Sequence, residues 1–175
     1  MREKKMKKSP VSVICRSLGT ILLVVLIVAC IPFVLPKVLG YEAYTVISGS
    51  MEPEITTGSL VYVASVKPQD VQKEDIIAFY GGRDTNAIIT HRVVENRVIM
   101  GEFITKGDAN QTNDMNPVSY DELIGRVELT IPKFGVVAQM LSGTVGKIAA
   151  GSLIGVAIVL HMIAALVDRS NEEKK

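Results

Sequence analysis

Two long stretches without a charged residue constrain this chain more than any other feature. Residues 17–36 and residues 148–167 each hold twenty uncharged residues rich in Leu, Val, Ile and Ala. A helix of about that length crosses the roughly 30 Å hydrocarbon core of a bilayer. The whole chain of 175 residues is 48% hydrophobic and 21% charged. The sequence therefore predicts two membrane helices with an aqueous domain between them.

The charge flanking these stretches predicts the orientation of the chain. Residues 1–16 carry six basic side chains and one acidic side chain, a net charge of +5. Basic segments stay on the cytoplasmic side, so both termini are expected there. We read the first stretch as an uncleaved anchor because it is longer than a typical signal-peptide core and no small-x-small cleavage site follows. The predicted order is a basic cytoplasmic tail (1–16), a transmembrane helix (17–39), an extracytoplasmic β domain (40–147), a second transmembrane helix (148–167) and a cytoplasmic tail (168–175).

The second stretch contains two features of interest. Gly151 and Gly155 have the Gly-x-x-x-Gly spacing that permits close helix packing, but this spacing is common in membrane spans by chance. We assign the pair no specific role, with packing against the first span as the alternative. His161 is the one ionisable residue inside either stretch. We interpret it as a neutral or headgroup-reaching side chain rather than a catalytic one.

Residue inventory excludes several classes of function. Cys15 and Cys30 would lie about 22 Å apart along one helix, too far for a disulfide bond. With these two cysteines so far apart, only two histidines and no other cysteine, we expect no Cys/His zinc site, and we expect no metal and no cofactor. Excess positive charge is confined to the N-terminal tail, which argues against nucleic acid as a partner.

The segment between the spans is predicted to be mostly β and to form a single small domain. β-Branched and apolar residues alternate with Gly, Asn, Asp and Pro punctuation, which is typical of short strands and turns. A hairpin turn is expected at Gly81-Gly82-Arg83-Asp84 and a polar loop at residues 110–117. The predicted strands are residues 60–66, 76–80, 87–94, 98–105 and 123–132, and the predicted core comprises Val61, Val63, Ile77, Phe79, Ile89 and Val93.

A few polar residues of this domain could support nucleophilic catalysis. Ser50 lies in a turn of small residues, and His91 is the domain's one histidine. Asp108 and Asp114 lie in the polar loop, where either carboxylate could orient an imidazole. Spacing alone leaves the structural alternatives open: a turn serine, a strand histidine and turn-forming aspartates.

Five segments in order resemble the conserved boxes of type I signal peptidases. The first, with Ser50, resembles the nucleophile box, and the third, with His91, resembles the base-bearing box. The segments are Val46-Ile47-Ser48-Gly49-Ser50-Met51-Glu52-Pro53, Asp75-Ile76-Ile77-Ala78-Phe79, Thr90-His91-Arg92-Val93-Val94, Thr105-Lys106-Gly107-Asp108-Ala109-Asn110 and Gly125-Arg126-Val127. The resemblance covers roughly residues 45–130.

This resemblance implies a set of roles. The third box has histidine rather than lysine. In this the sequence resembles the branch of the family that includes the endoplasmic reticulum catalytic subunits. Ser50 would be the nucleophile, His91 the base and Asp114 the acid that orients it, with Asp108 supporting the site or serving as the alternative acid. The Ser48 hydroxyl and the Ser50 N–H would hold the oxyanion. Two departures are Ser59, where relatives often have aspartate, and the lack of the large insertion of many lysine-type enzymes.

The implied protein is a small signal-peptidase-like β catalytic domain between two transmembrane helices. It would be a serine endopeptidase that removes signal peptides from exported preproteins through an acyl-enzyme, with small residues preferred before the cut. Its expected partners are preprotein signal peptides, the lipid bilayer and the secretion machinery. Its expected location is a prokaryotic plasma membrane with the domain outside, or the endoplasmic reticulum membrane in a eukaryote.

Two alternatives stay open at this point. In the first, Lys106 or Lys73 is the base of a serine-lysine peptidase, because a buried lysine can lose its proton, and His91 is structural. In the second, the outward β domain binds a partner and catalyses nothing.

Overall fold

The computed structural model describes residues 9–82 and 87–173. Most of the predicted basic tail, residues 1–8, and the Arg83-Asp84 part of the predicted hairpin turn lie outside the described residues. The chain divides into two compact units, one formed by its ends up to Pro32 and from Leu141, and one formed by Phe33–Met140.

Within the described residues, the α-helices and β-strands follow in chain order as one helix, seven strands and two further helices. They are α1 (Pro10–Val38), β1 (Tyr41–Thr45), β2 (Leu60–Ala64), β3 (Ile76–Tyr80), β4 (Ile88–Arg97), β5 (Glu102–Lys106), β6 (Val118–Ser119), β7 (Leu123–Ile131), α2 (Phe134–Ser142) and α3 (Thr144–Glu173). Two segments, Pro10–Val38 and Thr144–Asn171, are long and apolar enough to cross a membrane. Both helices begin before the uncharged stretches because helical hydrogen bonding continues past the segment that matches the bilayer.

Small residues bring α1 and α3 together in the first unit. A Cβ atom added at Gly19 would lie 2.5 Å from Nδ1 of His161, so only glycine allows this approach. His161 Nδ1 donates to the Ala157 carbonyl at 2.8 Å, and its Nε2 lies 3.4 Å from Thr20 Oγ1. Arg16 forms an ion pair with Asp168 at 2.9 Å. His161 is thus a packing residue of the helix pair.

In the described part of the chain, Gly151 and Gly155 do not pack against the first span. A Cβ atom added at either glycine would meet no atom within 4 Å among the described residues. Ala157 faces α1 instead, as its carbonyl lies 3.1 Å from the same point at Gly19. Since Gly155 precedes Ala157 by two residues, it lies on nearly the opposite side of the helix.

The second unit contains one antiparallel sheet in the order β1-β2-β7-β3-β4-β5-β6. The predicted mostly β domain between two apolar helices is confirmed. All five predicted strands are present, but the predicted start of β5 at residue 98 is wrong. Val98–Gly101 form the turn between β4 and β5, with Gly101 at φ 69°. Strands β1 and β6 were not predicted.

Apolar side chains pack on both faces of this sheet. On one face, Ile77, Phe79 and Val93 pack with Val71, Phe103 and Val118. On the other, Met51 and Ile55 pack on Val61, Val63 and Ala78. Five of the six predicted core residues are buried, and the sixth, Ile89, is partly buried against the first cluster.

The long strand β4 determines where the polar residues meet. Strand β3 pairs with its first half, from Ile88 to Arg92, and β5 pairs from Arg92 onward. His91 therefore lies beside the point at which β5 ends at Lys106. The chain that leaves β5 runs past His91 and carries Asp108 and Asp114 with it.

Candidate active site

Ser50 lies in a turn between β1 and β2 that is fixed on both sides. Met51 next to it is 1% exposed and packs in the core. The Glu52 carboxylate accepts hydrogen bonds from the backbone N–H and the hydroxyl of Thr57, at 3.3 and 3.1 Å. The Ser50 carbonyl accepts a hydrogen bond from the Ala109 N–H at 2.9 Å. The backbone of the turn is thus anchored both to the core and to the loop after β5.

His91 and Asp114 form a short, largely buried pair. His91 is 8% exposed, and its Nδ1 lies 2.6 Å from Oδ2 of Asp114. The same carboxylate oxygen accepts a hydrogen bond from the Thr105 hydroxyl at 2.7 Å. An ionised carboxylate only accepts, so Nδ1 carries a proton in this arrangement, and in the neutral imidazole Nε2 is then the nitrogen with the lone pair. The ring is therefore held in the orientation and tautomer that a general base requires.

Asp108 contacts Arg92 rather than His91. Its two carboxylate oxygens accept from Nε and Nη2 of Arg92 at 2.8 and 2.7 Å, a bidentate ion pair. Arg92 also donates to the Glu74 carbonyl at 2.9 Å. The hydrogen bond with Asp108 raises the pKa of the Arg92 guanidinium above its ordinary value. Asp108 thus ties the loop after β5 to strand β4.

Gly107 permits close contact between that loop and the serine turn. A Cβ atom added at Gly107 would lie 2.6 Å from the Ser50 carbonyl oxygen and 3.0 Å from His91 Nε2. Both atoms are therefore within 3.0 Å of one point. Nε2, the ring nitrogen that does not contact Asp114, therefore lies close to the Ser50 carbonyl.

The Ser50 hydroxyl lies 3.3 Å from the Ser48 hydroxyl. Between the described side chains of Ser50 and His91 there is no hydrogen bond, and catalytic hydrogen bonds commonly tighten only when substrate binds. In the same part of the chain, no hydrogen bond joins Ser50 to Lys106 or Lys73, and Lys73 is exposed.

A groove of about 320 Å³ runs past both serines. One wall comes from β1 and the serine turn, and the other comes from the start of β4. Among the described strands, Ile88–Thr90 pair with β3 alone, so one backbone edge of this segment faces away from the sheet. The lining is largely apolar: Tyr44, Thr45, Val46, Ile47, Ser48, Ser50, Met51, Ala87, Ile88, Ile89 and Thr90.

No group of three or more His, Cys, Asp or Glu side chains that could hold a metal ion occurs within residues 9–82 and 87–173. Within the same ranges, the candidate site consists of the serine turn, the His91–Asp114 pair, the Asp108–Arg92 pair and the groove.

Sequence reasoning missed two contributors to this site, Thr105 and Gly107. Thr105 lies at a fully buried strand position where an apolar residue is usual. A polar residue two positions after buried Phe103 was the available signal. The close approach at Gly107 depends on the path of a distant turn, which local sequence does not encode.

No family model matches this chain. Signal peptidase I W of Bacillus subtilis (strain 168) is 44% identical over 88 residues, which cover 48% of this chain and 45% of that protein. The signal peptidase complex catalytic subunit SEC11C of Homo sapiens is 30% identical over 110 residues, 55% of each chain. The signal peptidase complex catalytic subunit SEC11 of Colletotrichum graminicola is 34% identical over 106 residues, 55% of this chain and 62% of that protein.

The chain spans about half the length of the curated relatives it matches. These matches confirm the resemblance to type I signal peptidases, in the histidine branch. The two apolar helices and the same relatives indicate a membrane protein.

Proposed function

We propose that this chain is a membrane-bound serine endopeptidase that removes N-terminal signal peptides from exported preproteins. The observation that carries the proposal is the 2.6 Å contact of His91 Nδ1 with Asp114, with His91 Nε2 and the Ser50 carbonyl oxygen both within 3.0 Å of one point at Gly107. A buried imidazole held by a carboxylate beside a serine fits the requirements of acyl transfer. The similarity to proteins named signal peptidases supplies the substrate class.

In the proposed mechanism, Nε2 of His91 takes the proton of the Ser50 hydroxyl as Ser50 Oγ attacks the peptide carbonyl. His91 then donates this proton to the departing amine. Asp114 stabilises the imidazolium that forms between these two steps. Water, activated by the same imidazole, cleaves the acyl-enzyme and frees Ser50.

The oxyanion formed during attack is held by the Ser50 N–H and the Ser48 hydroxyl. Support comes from the 3.3 Å contact between the two serine hydroxyls, which keeps Ser48 beside the attacking atom. Donors fixed before the reaction stabilise developing charge without reorganisation, and each contributes about 10²-fold or more to the rate.

The cleavage region of the substrate lies extended in the groove between β1 and the start of β4. The unpaired backbone edge at Ile88–Thr90 supports this, because an extended peptide adds to a sheet edge through main-chain hydrogen bonds. Apolar walls near Ser50, including Val46 and Met51, favour small apolar residues before the cut.

We further propose the orientation predicted from charge, with residues 40–147 on the outer side of a plasma membrane or in the lumen of the endoplasmic reticulum. A tethered protease meets a membrane-held signal peptide at high effective concentration. Contacts with the secretion machinery stay a prediction.

The test is cleavage of a preprotein by the purified full chain in liposomes, with the new N-terminus of the product sequenced. Ser50→Ala should lower the rate by about 10⁴-fold or more. The matched control is Ser152→Ala, which removes a hydroxyl that bonds the Ile148 carbonyl within α3. If the folded Ser50→Ala protein cleaves as fast as the wild type, the peptidase assignment is wrong. If the wild type and every variant bind the preprotein but none cleaves it, the result favours the alternative of an outward β domain that binds a partner and catalyses nothing.

A further inference from the structure

Thr105 makes two contacts with the residue that holds His91. Its hydroxyl donates to Asp114 Oδ2 at 2.7 Å, and its carbonyl accepts from the Asp114 N–H at 2.9 Å. Thr105 is 0% exposed and pairs with Val93 across β4 and β5. One residue of the rigid sheet thus fixes both the backbone and the side chain of Asp114.

Asp114 requires such support because of where it lies. It belongs to the polar loop after β5, and its side chain is 23% exposed, between residues 113 and 115 that are both exposed. A loop carboxylate turns freely about χ1 and χ2 unless a partner holds it. His91 alone holds one oxygen from one direction. The Thr105 hydroxyl donates to the same oxygen from the strand, and this second hydrogen bond further restricts the side chain of Asp114.

The hydroxyl also affects the charge that the imidazole experiences. A donor on Oδ2 stabilises the ionised carboxylate and shares the lone pairs that His91 Nδ1 uses. Removal of that donor changes how strongly Asp114 stabilises the protonated ring. A purely structural hydroxyl would have no such effect on proton transfer at His91.

We propose that Thr105 is a positioning residue of the peptidase reaction, which acts on His91 by fixing the rotamer and the charge of Asp114. This inference rests on the proposed function. It assigns no contact with the substrate to Thr105, so substrate binding should be insensitive to its hydroxyl.

The test is the Thr105→Val variant of the full chain, because valine keeps the shape and strand preference of threonine and removes only the hydroxyl. Preprotein cleavage in liposomes is measured across pH, with the folded fraction determined in each preparation. We expect kcat to fall about 10-fold to 100-fold, the effect of losing a hydrogen bond to a charged group, with KM nearly unchanged. The acid limb of the pH profile should also move relative to wild type. Thr105→Ser keeps a hydroxyl and should have the wild-type kcat and the wild-type pH profile.

A matched control removes a hydroxyl from another side-chain pair of the same domain. Tyr120→Phe deletes the hydrogen bond from Tyr120 to Asn96 Oδ1, outside the candidate site. It should lower stability and leave the pH profile of the folded protein in place. Thr105→Ala serves the same purpose as the valine variant if the latter does not fold.

The outcomes separate this proposal from the proposed function. If Thr105→Val has wild-type kcat per folded molecule and an unshifted pH profile while Ser50→Ala is inactive, the positioning role is wrong and the peptidase stands. If Ser50→Ala is as active as wild type, the peptidase assignment itself fails.

Discussion

The two loop aspartates are six residues apart and have different partners. Asp114 holds His91 Nδ1, whereas Asp108 forms a bidentate pair with Arg92. The neighbours His91 and Arg92 alternate along β4 and so point to opposite faces of the strand. Each aspartate meets the side chain that faces its part of the loop. The two substitutions below should therefore have different consequences.

Asp114→Asn should lower the cleavage rate by about 10⁴-fold while the protein stays folded. The uncharged amide does not stabilise the imidazolium that forms when His91 takes the Ser50 proton, and its NH2 group can also favour the wrong imidazole tautomer. Asp108→Asn should instead act through stability, at about 1.5–3 kcal/mol for a hydrogen bond between charged groups, with a smaller loss of rate per folded molecule. Thermal unfolding measures the stability of both variants, and preprotein cleavage measures their rate per folded molecule. Equal losses of rate in two equally stable variants would contradict it.

The environment of Tyr44 predicts that the folded protein loses stability at alkaline pH. Burial, followed by the hydrogen bond to Glu42, raises the pKa of Tyr44 above its ordinary value of about 10. In this range the folded chain holds a proton that the unfolded chain releases, so stability is full below about pH 10 and falls as the pH rises further. Denaturant titrations between pH 9 and 11 should show this slope, and Tyr44→Phe should reduce it. An unchanged slope in that variant would assign the effect to other groups.

At the scale of residues, the residue types alone did not predict which side chains pair, and Asp114 as the partner of His91 was implied only by the resemblance to signal peptidases. Ser50 and His91 could be named from their motifs. The partners of Asp108 and Asp114 depend on the alternation of β4 and on the path of the loop after β5. Both are non-local, and so the contact of Thr105 with Asp114 was not predicted either.

Among the elements, α1 and α3 make their contact through Gly19 and His161 and not through Gly151 and Gly155. The sequence contains several small residues in each apolar helix, and which of them face each other depends on helix rotation. Strand prediction failed for related reasons. Two residues separate strand β1 from the helix before it, the strand has only five residues without an apolar alternation, and β6 has only two residues.

Gly19→Val should destabilise the helix pair, because its side chain would overlap the His161 ring. Overpacking of this kind costs about 1–3 kcal/mol. Gly151→Val is the matched control, since a Cβ atom there meets nothing within 4 Å in the described part of the chain. Thermal unfolding in detergent micelles should show a lower midpoint for the first variant alone. A lower midpoint for the Gly151 variant alone would contradict this packing.

For the whole molecule, orientation is the prediction with the widest consequences. Asn110-Gln111-Thr112 is an N-glycosylation acceptor sequence, and Asn110 is exposed. If residues 40–147 are translocated across the membrane, translation of the chain in the presence of microsomes should attach one glycan to Asn110. A glycosidase should remove it, and Asn110→Gln should prevent it. Modification of an acceptor added after residue 175, without modification of Asn110, would reverse the proposed orientation.

The composition and charge of the whole chain predicted two apolar helices around a β domain, and the structure has both. Hydrophobic length and strand alternation are local properties, which explains why they could be read directly. The groove beside Ser48 and Ser50 could not be predicted from the sequence, because β1 and the start of β4 meet only after the sheet forms.

The central claim is that His91 activates Ser50, and its most direct test is the single-turnover rate of preprotein cleavage by two variants. His91→Ala should lower this rate by about 10⁴-fold or more, because the imidazole both accepts and returns the proton. Lys106→Ala should retain the rate within about 10-fold, a smaller loss than deletion of a general base. An active His91→Ala enzyme together with an inactive, folded Lys106→Ala enzyme would contradict the account and establish a serine-lysine peptidase.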